Sequence, residues 1–142
     1  MTDRWVIVAL LVAVLFGLYH VFTKLASGRI PDAVGGFWLE GVALIGMGIY
    51  LLAIRQPLWG QGITRQGLTF AILGGVSVGL GTVLNFTMYR LHGPLSGAGP
   101  IVLMGALAIM AVTGVVFMGE ELTPSRVVGW ILAIAAIWFL SR

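Results

Sequence analysis

Apolar positions along this chain gather in long runs, and each run is close to the length of a bilayer crossing. The predicted spans cover residues 5–25, 33–54, 67–89, 96–119 and 124–141. About 20 apolar residues suffice to cross roughly 30 Å of hydrocarbon. The breaks carry turn chemistry: Ser27-Gly28-Arg29-Ile30-Pro31-Asp32, then Gln56-Pro57-Leu58-Trp59-Gly60-Gln61-Gly62, then Arg90-Leu91-His92-Gly93-Pro94. Thr123-Pro124-Ser125 opens the last run, with Thr123 as N-cap and Pro124 at the first helical position. Strands of a membrane barrel would alternate every second residue, and these runs do not. The helix is then the element that satisfies its own backbone in lipid. The expectation is an all-α integral membrane protein with five transmembrane helices, residues 1–142 forming a single domain. The last span is short, since only 127–141 is uncharged, so Arg126 is expected to snorkel to the interface. Trp5, Trp59 and Trp138 fall where an aromatic belt belongs. The run after Arg4 is too long for a signal-peptide core and closes at Thr23-Lys24 without a small-x-small cleavage site, so it reads as a retained span.

Composition strengthens this picture. The 142 residues are 59% hydrophobic and 9% charged, where soluble domains are about 25% charged. The high pI comes from a small surplus of scattered basic residues, with no basic run suited to nucleic acid. There is no cysteine, which excludes a disulfide framework and a thiolate metal site.

Charge placement bears on assembly. With the N-terminal side called A, Arg4, Arg55, Arg65 and Arg126 lie on side A, and Lys24, Arg29, Arg90 and Arg142 on side B. Lys/Arg asymmetry sets orientation, and four against four gives no strong instruction. Either one loop dominates, or the topology is dual and copies inserted both ways pair antiparallel. An odd number of spans favours inverted pairing, because two copies joined end to end would be inverted relative to each other, as in many secondary transporters.

Ionisable groups inside a span are expensive and are functional candidates by default. Glu40 lies about seven residues into the second span from side B, roughly 10 Å deep at 1.5 Å per residue. It shares a face with Gly36, Ala43 and Met47. In the first span Ala9, Ala13, Gly17, His20 and Lys24 form one face; in the third, Gly74, Ser77, Gly81, Asn85 and Tyr89 do the same. The three spans are thereby expected to bring Tyr19, His20, Lys24, Glu40, Asn85 and Tyr89 into one layer near side B. That layer would line a water-accessible cavity contacting a small-molecule solute, with Glu40 its acidic group and His20 or Lys24 its partner. The plainer alternative is that Glu40 and Lys24 snorkel and Asn85 joins two helices. Ala71, Gly75 and Gly79 follow a small-xxx-small spacing that permits close helix contact. Gly93-Pro94 and Gly99-Pro100 are expected to end or bend helices. Neither a catalytic set, a phosphate loop nor metal-ligand spacing occurs, so no enzyme, cofactor or metal is expected.

The second half narrows the field. Asn85-Phe86-Thr87-Met88-Tyr89-Arg90-Leu91-His92-Gly93-Pro94-Leu95-Ser96 precedes a Gly/Ala-rich span, followed by Gly119-Glu120-Glu121-Leu122-Thr123, Gly129 and a last apolar helix. This order resembles the EamA-type repeat of the drug/metabolite transporter superfamily, and the first half is compatible through Phe16-Gly17 and Lys24. Members usually carry two such five-helix repeats of opposite orientation. The resemblance therefore implies one inverted-repeat unit working as an antiparallel homodimer, or with a partner subunit. It further implies a multi-pass protein of the cell (inner) membrane that moves a metabolite or drug-like solute by alternating access. The alternative of another class is a non-transporting membrane subunit packed against a partner. Glu120 matches the family's motif glutamate, and with Gly129 it is expected to serve structure, Glu120 accepting backbone hydrogen bonds at a helix end. The related small multidrug resistance proteins have an essential acid in their first helix; 5–25 has none, so their proton-coupled exchange is not implied here. Leu39-Glu40 stands where the family often places an arginine, and no substrate preference follows.

Overall fold

The structure, a computed structural model, describes residues 4–55 and 62–140. Within them are five helices: α1 (Arg4–Ala26), α2 (Asp32–Ala53), α3 (Arg65–Arg90), α4 (Leu95–Met118) and α5 (Pro124–Leu140). Each agrees with a predicted span to within about two residues at either end. Four are long and apolar enough to cross a membrane; α5, with 17 residues, is apolar but shorter. Trp59 and Arg142, to which the sequence assigned an interface and a charge on side B, lie outside the described residues.

The ends follow local chemistry. Thr64 caps α3, its hydroxyl accepting from the Gly67 N–H at 3.0 Å. Pro94 precedes α4, so Gly93-Pro94 does mark a break. Pro100, by contrast, lies inside α4, which continues through it. A proline in the second turn removes one backbone donor without ending the helix. α4 stops at Gly119, whose left-handed φ of 67° a side chain would oppose. The N–H groups of Gly119 and Glu120 both turn back to the Gly114 carbonyl. Pro124 opens α5 as expected, and the Thr123 hydroxyl sits 3.2 Å from that of Ser125.

The chain divides into two compact units, Met1–Leu91 and His92–Arg142. In the first, α3 packs against both α1 and α2. The buried residues of this unit sit at one end: His20 and Thr23 near the end of α1, Gly35 and Gly36 at the start of α2, Thr82, Phe86 and Tyr89 near the end of α3. Toward the other end the helices expose large apolar side chains, among them Leu10, Leu15, Leu44, Ile49, Ile72 and Leu80. In lipid that exposure is no penalty, because hydrocarbon is as apolar as leucine.

The second unit is the α4–α5 hairpin. A Cβ at Gly97 would stand 3.3 Å from the Leu140 carbonyl, so the glycine lets the two backbones approach. Apolar side chains, including Met104, Leu107 and Ala111 of α4 and Trp130, Ala133 and Ile134 of α5, line a cavity of about 90 Å³.

Candidate functional site

The closed end of the α1–α3 unit is built around α3. Phe86, 2% exposed, lies over Gly35 of α2 so tightly that a Cβ there would fall 2.5 Å from its ring. Gly36, one residue on, faces Val83, where a Cβ would stand only 3.0 Å from the Val83 side chain. These two glycines bring α2 close enough for side-chain hydrogen bonds to reach across.

On the α1 flank, His20 Nδ1 lies 3.0 Å from the Tyr89 hydroxyl. The Lys24 ammonium donates to the Tyr89 carbonyl at 3.3 Å and stands 5.4 Å from the centre of its ring, within cation–π range. Asn85 Nδ2 donates to the Tyr19 hydroxyl at 3.3 Å, and the Ser27 hydroxyl donates to the Phe86 carbonyl at 2.8 Å. On the α2 flank, the Thr82 hydroxyl donates to Glu40 Oε1. Asp32 Oδ2 accepts from the Thr87 hydroxyl and from Arg90 Nε, each at 2.8 Å.

Five of the six residues expected in the layer (Tyr19, His20, Lys24, Asn85 and Tyr89) thus meet directly across α1 and α3. The sixth, Glu40, joins through α3. The expected partner of Glu40 was His20 or Lys24, and here the structure corrects the sequence: Glu40 takes its hydrogen bond from Thr82, while His20 and Lys24 both turn to Tyr89. The physical reason is placement. α3 has α1 and α2 as neighbours, and each flank finds its partner on α3. Asn85 does join two helices, as the plainer alternative had it. In the small-residue row, a Cβ at Gly75 or Gly79 would meet nothing within 4 Å, so these two glycines make no close helix contact among the described residues.

Sequence reasoning missed Thr82, Asp32 and Phe86. A threonine inside a helix usually bonds its own backbone and gives no outward signal. Asp32 and Arg90 were read as separate loop charges, although an acid at a helix start and a base at a helix end is the arrangement that helix dipoles favour. Of the other residues given a structural role, Glu120 sets its carboxyl group against Gly114, where a Cβ would stand 3.1 Å from it, with Arg126 at 3.6 Å. Arg126 itself donates to the Glu121 carbonyl at 2.9 Å. The bonds expected at this helix end are therefore made by the Glu120 backbone and by Arg126. At Gly129 a Cβ would meet nothing within 4 Å.

Comparison with known proteins draws these features together. A model of the EamA-like transporter family matches residues 3–142. The chain belongs to the EamA-like transporter family. Membership makes it a multi-pass membrane protein of a family that transports small solutes, and it agrees with the resemblance read from Gly119-Glu120-Glu121-Leu122-Thr123. An uncharacterized protein of Methanocaldococcus jannaschii is 32% identical over 145 residues, covering 98% of this chain and 97% of the relative. No solved structure matches the chain significantly. Among the described residues, no group of three or more His, Asp or Glu side chains is placed to hold a metal ion.

Proposed function

We propose that this chain is a half-size transporter of a small metabolite or drug-like solute, working by alternating access as an antiparallel homodimer in the cell (inner) membrane. All five helices span, with α5 the shortest, and the two units act together as one transporter repeat. The observation that carries this reading is the convergence of Tyr19, His20, Lys24, Asn85, Tyr89 and Glu40 around one end of α3. Polar and ionisable groups at membrane depth mark solute pathways. Here Glu40 supplies a negative group and Lys24 a positive one on opposite flanks of α3, a pairing able to meet both poles of a polar solute. Support for the dimer comes from the balanced Lys/Arg placement and from the presence of one repeat where family members usually carry two.

Two experiments test it. Reporters fused to the C-terminus, one active inside and one outside the cell, should both give signal; signal from one alone removes the antiparallel homodimer and leaves a heterodimer or a subunit of another protein. Against a panel of labelled metabolites in vesicles, Glu40→Gln should abolish the uptake that the unmodified chain supports, by at least tenfold. Full uptake by that variant would remove Glu40 from the site.

A further inference from the structure

We infer that Thr82 is a positioning residue whose hydroxyl ties α2 to α3 only while Glu40 is ionised and unoccupied. This deepens the solute-site reading of Glu40 and rests on it.

The observation is a contrast among hydroxyls on the helices of one unit. Thr69 donates to the Arg65 carbonyl at 3.0 Å, Ser77 to Leu73 at 2.9 Å and Thr23 to Tyr19 at 2.8 Å, each four residues back on its own helix. Thr87 also donates back to Val83, sharing its proton with Asp32. Back-bonding of this kind is the resting choice of a helical hydroxyl in an apolar surround. Thr82, only 3% exposed, instead turns its proton to Glu40 on the neighbouring helix. The alternative acceptor, the Val78 carbonyl one turn back, remains within the helix.

A hydroxyl has one proton to give. A carboxylate is a stronger acceptor than a peptide carbonyl, since bonds to charged groups are about twice as strong. Once Glu40 is protonated, or engaged by the cationic pole of a solute, that advantage falls and the Val78 carbonyl competes. Thr82 then returns to its own helix, as its neighbours do, and one tie between α2 and α3 is lost.

The other charged or titratable groups on the packed helices have partners of their own. Asp32 is held by Arg90 and Thr87, Tyr89 by His20, Tyr19 by Asn85, and Lys24 by the Tyr89 carbonyl and ring. His20 is the one of these that ordinarily changes charge near neutrality, so it needs its own control.

The chain has no cysteine, which allows labels to be placed without removing any. Leu52→Cys on α2 and Phe70→Cys on α3 put spin labels on exposed positions, 80% and 63% accessible, toward the ends away from the site. In the full chain in lipid nanodiscs, the interlabel distance should be short and narrow at alkaline pH and longer or broader at acid pH. Thr82→Val should show the acid distribution at both, Thr82→Ser should restore the pH response, and Glu40→Gln should lose it. His20→Gln should keep it. Should Thr82→Val not assemble, Thr82→Ala gives the same reading. A Thr82→Val or Thr82→Ala protein with the unmodified pH response overturns the inference. So does a response that survives Glu40→Gln, or an unmodified protein with no response. A merely packing role for Thr82 would shift the distance at every pH and leave its pH dependence intact. Failure here leaves the uptake result for Glu40→Gln standing on its own, so the two readings fail separately.

Discussion

Where α1, α2 and α3 meet, side chains exchange hydrogen bonds across helices; where α4 meets α5, a glycine lies under a backbone carbonyl and apolar side chains line a cavity. Both are solutions to the same difficulty. Lipid gives no hydrophobic drive for one apolar helix to seek another, so association depends on packing and on interhelical hydrogen bonds. Among the described residues, the α4–α5 hairpin is joined mainly by apolar packing. The α1–α3 unit adds polar ties, concentrated at one end. Interhelical hydrogen bonds in membranes contribute on average about 0.6 kcal/mol each, so no single tie holds that end and the sum does. A joint of several weak ties is one that a solute or proton can loosen stepwise. A packed glycine contact is not.

Gly35→Leu should break the contrast most severely. Its Cβ would fall inside the Phe86 ring contact, and overpacking of this kind costs about 1–3 kcal/mol. Thermal unfolding in detergent should drop by several degrees, with the polar ties of the α1–α3 unit lost together. A stability unchanged by Gly35→Leu would mean that Phe86 does not seat α2. Arg90→Leu should come next. It removes the guanidinium partner of the Asp32 carboxylate, which keeps its bond from the Thr87 hydroxyl, so the thermal midpoint should fall by less than for Gly35→Leu. Adding Asp32→Asn should recover part of that loss, and a strictly additive double variant would show the ion pair to be idle. Smallest is the α4–α5 unit's response to added methyl groups. Gly114→Ala meets the flexible Glu120 carboxyl and should lose under about 0.5 kcal/mol, while Gly129→Ala meets nothing within 4 Å and should gain slightly from helix propensity. If Gly129→Ala instead weakens the proposed dimer, that face is where the second copy would sit.

The spans were legible because the bilayer sets a length and forbids unpaired backbone, so a count of apolar residues nearly fixes each helix. The polar layer was legible for a related reason: Glu40, His20 and Asn85 stand out against apolar surroundings, and their depth follows from counting residues. Pairing was not. A helical face indicates which residues lie together on one element, but not which neighbour that face meets, and α3 proved to be the partner of both flanks. Thr82 escaped notice because its composition is ordinary for a helix and only its choice of acceptor is unusual. Phe86 escaped because its role depends on the absence of a side chain at Gly35, on a different helix and far away in the chain.

One consequence remains in the lengths of the helices. α3 has 26 residues and α5 has 17, or about 39 Å and 26 Å at 1.5 Å per residue. A hydrocarbon layer near 30 Å is therefore too thin for one to stand upright and too thick for the other. On the five-span reading proposed above, thickening the bilayer would straighten α3 while pulling at the ends of α5, and thinning it would do the reverse. On that reading lipid acyl-chain length acts on the two helices in opposite senses, and the membrane itself becomes a setting that the chain reads.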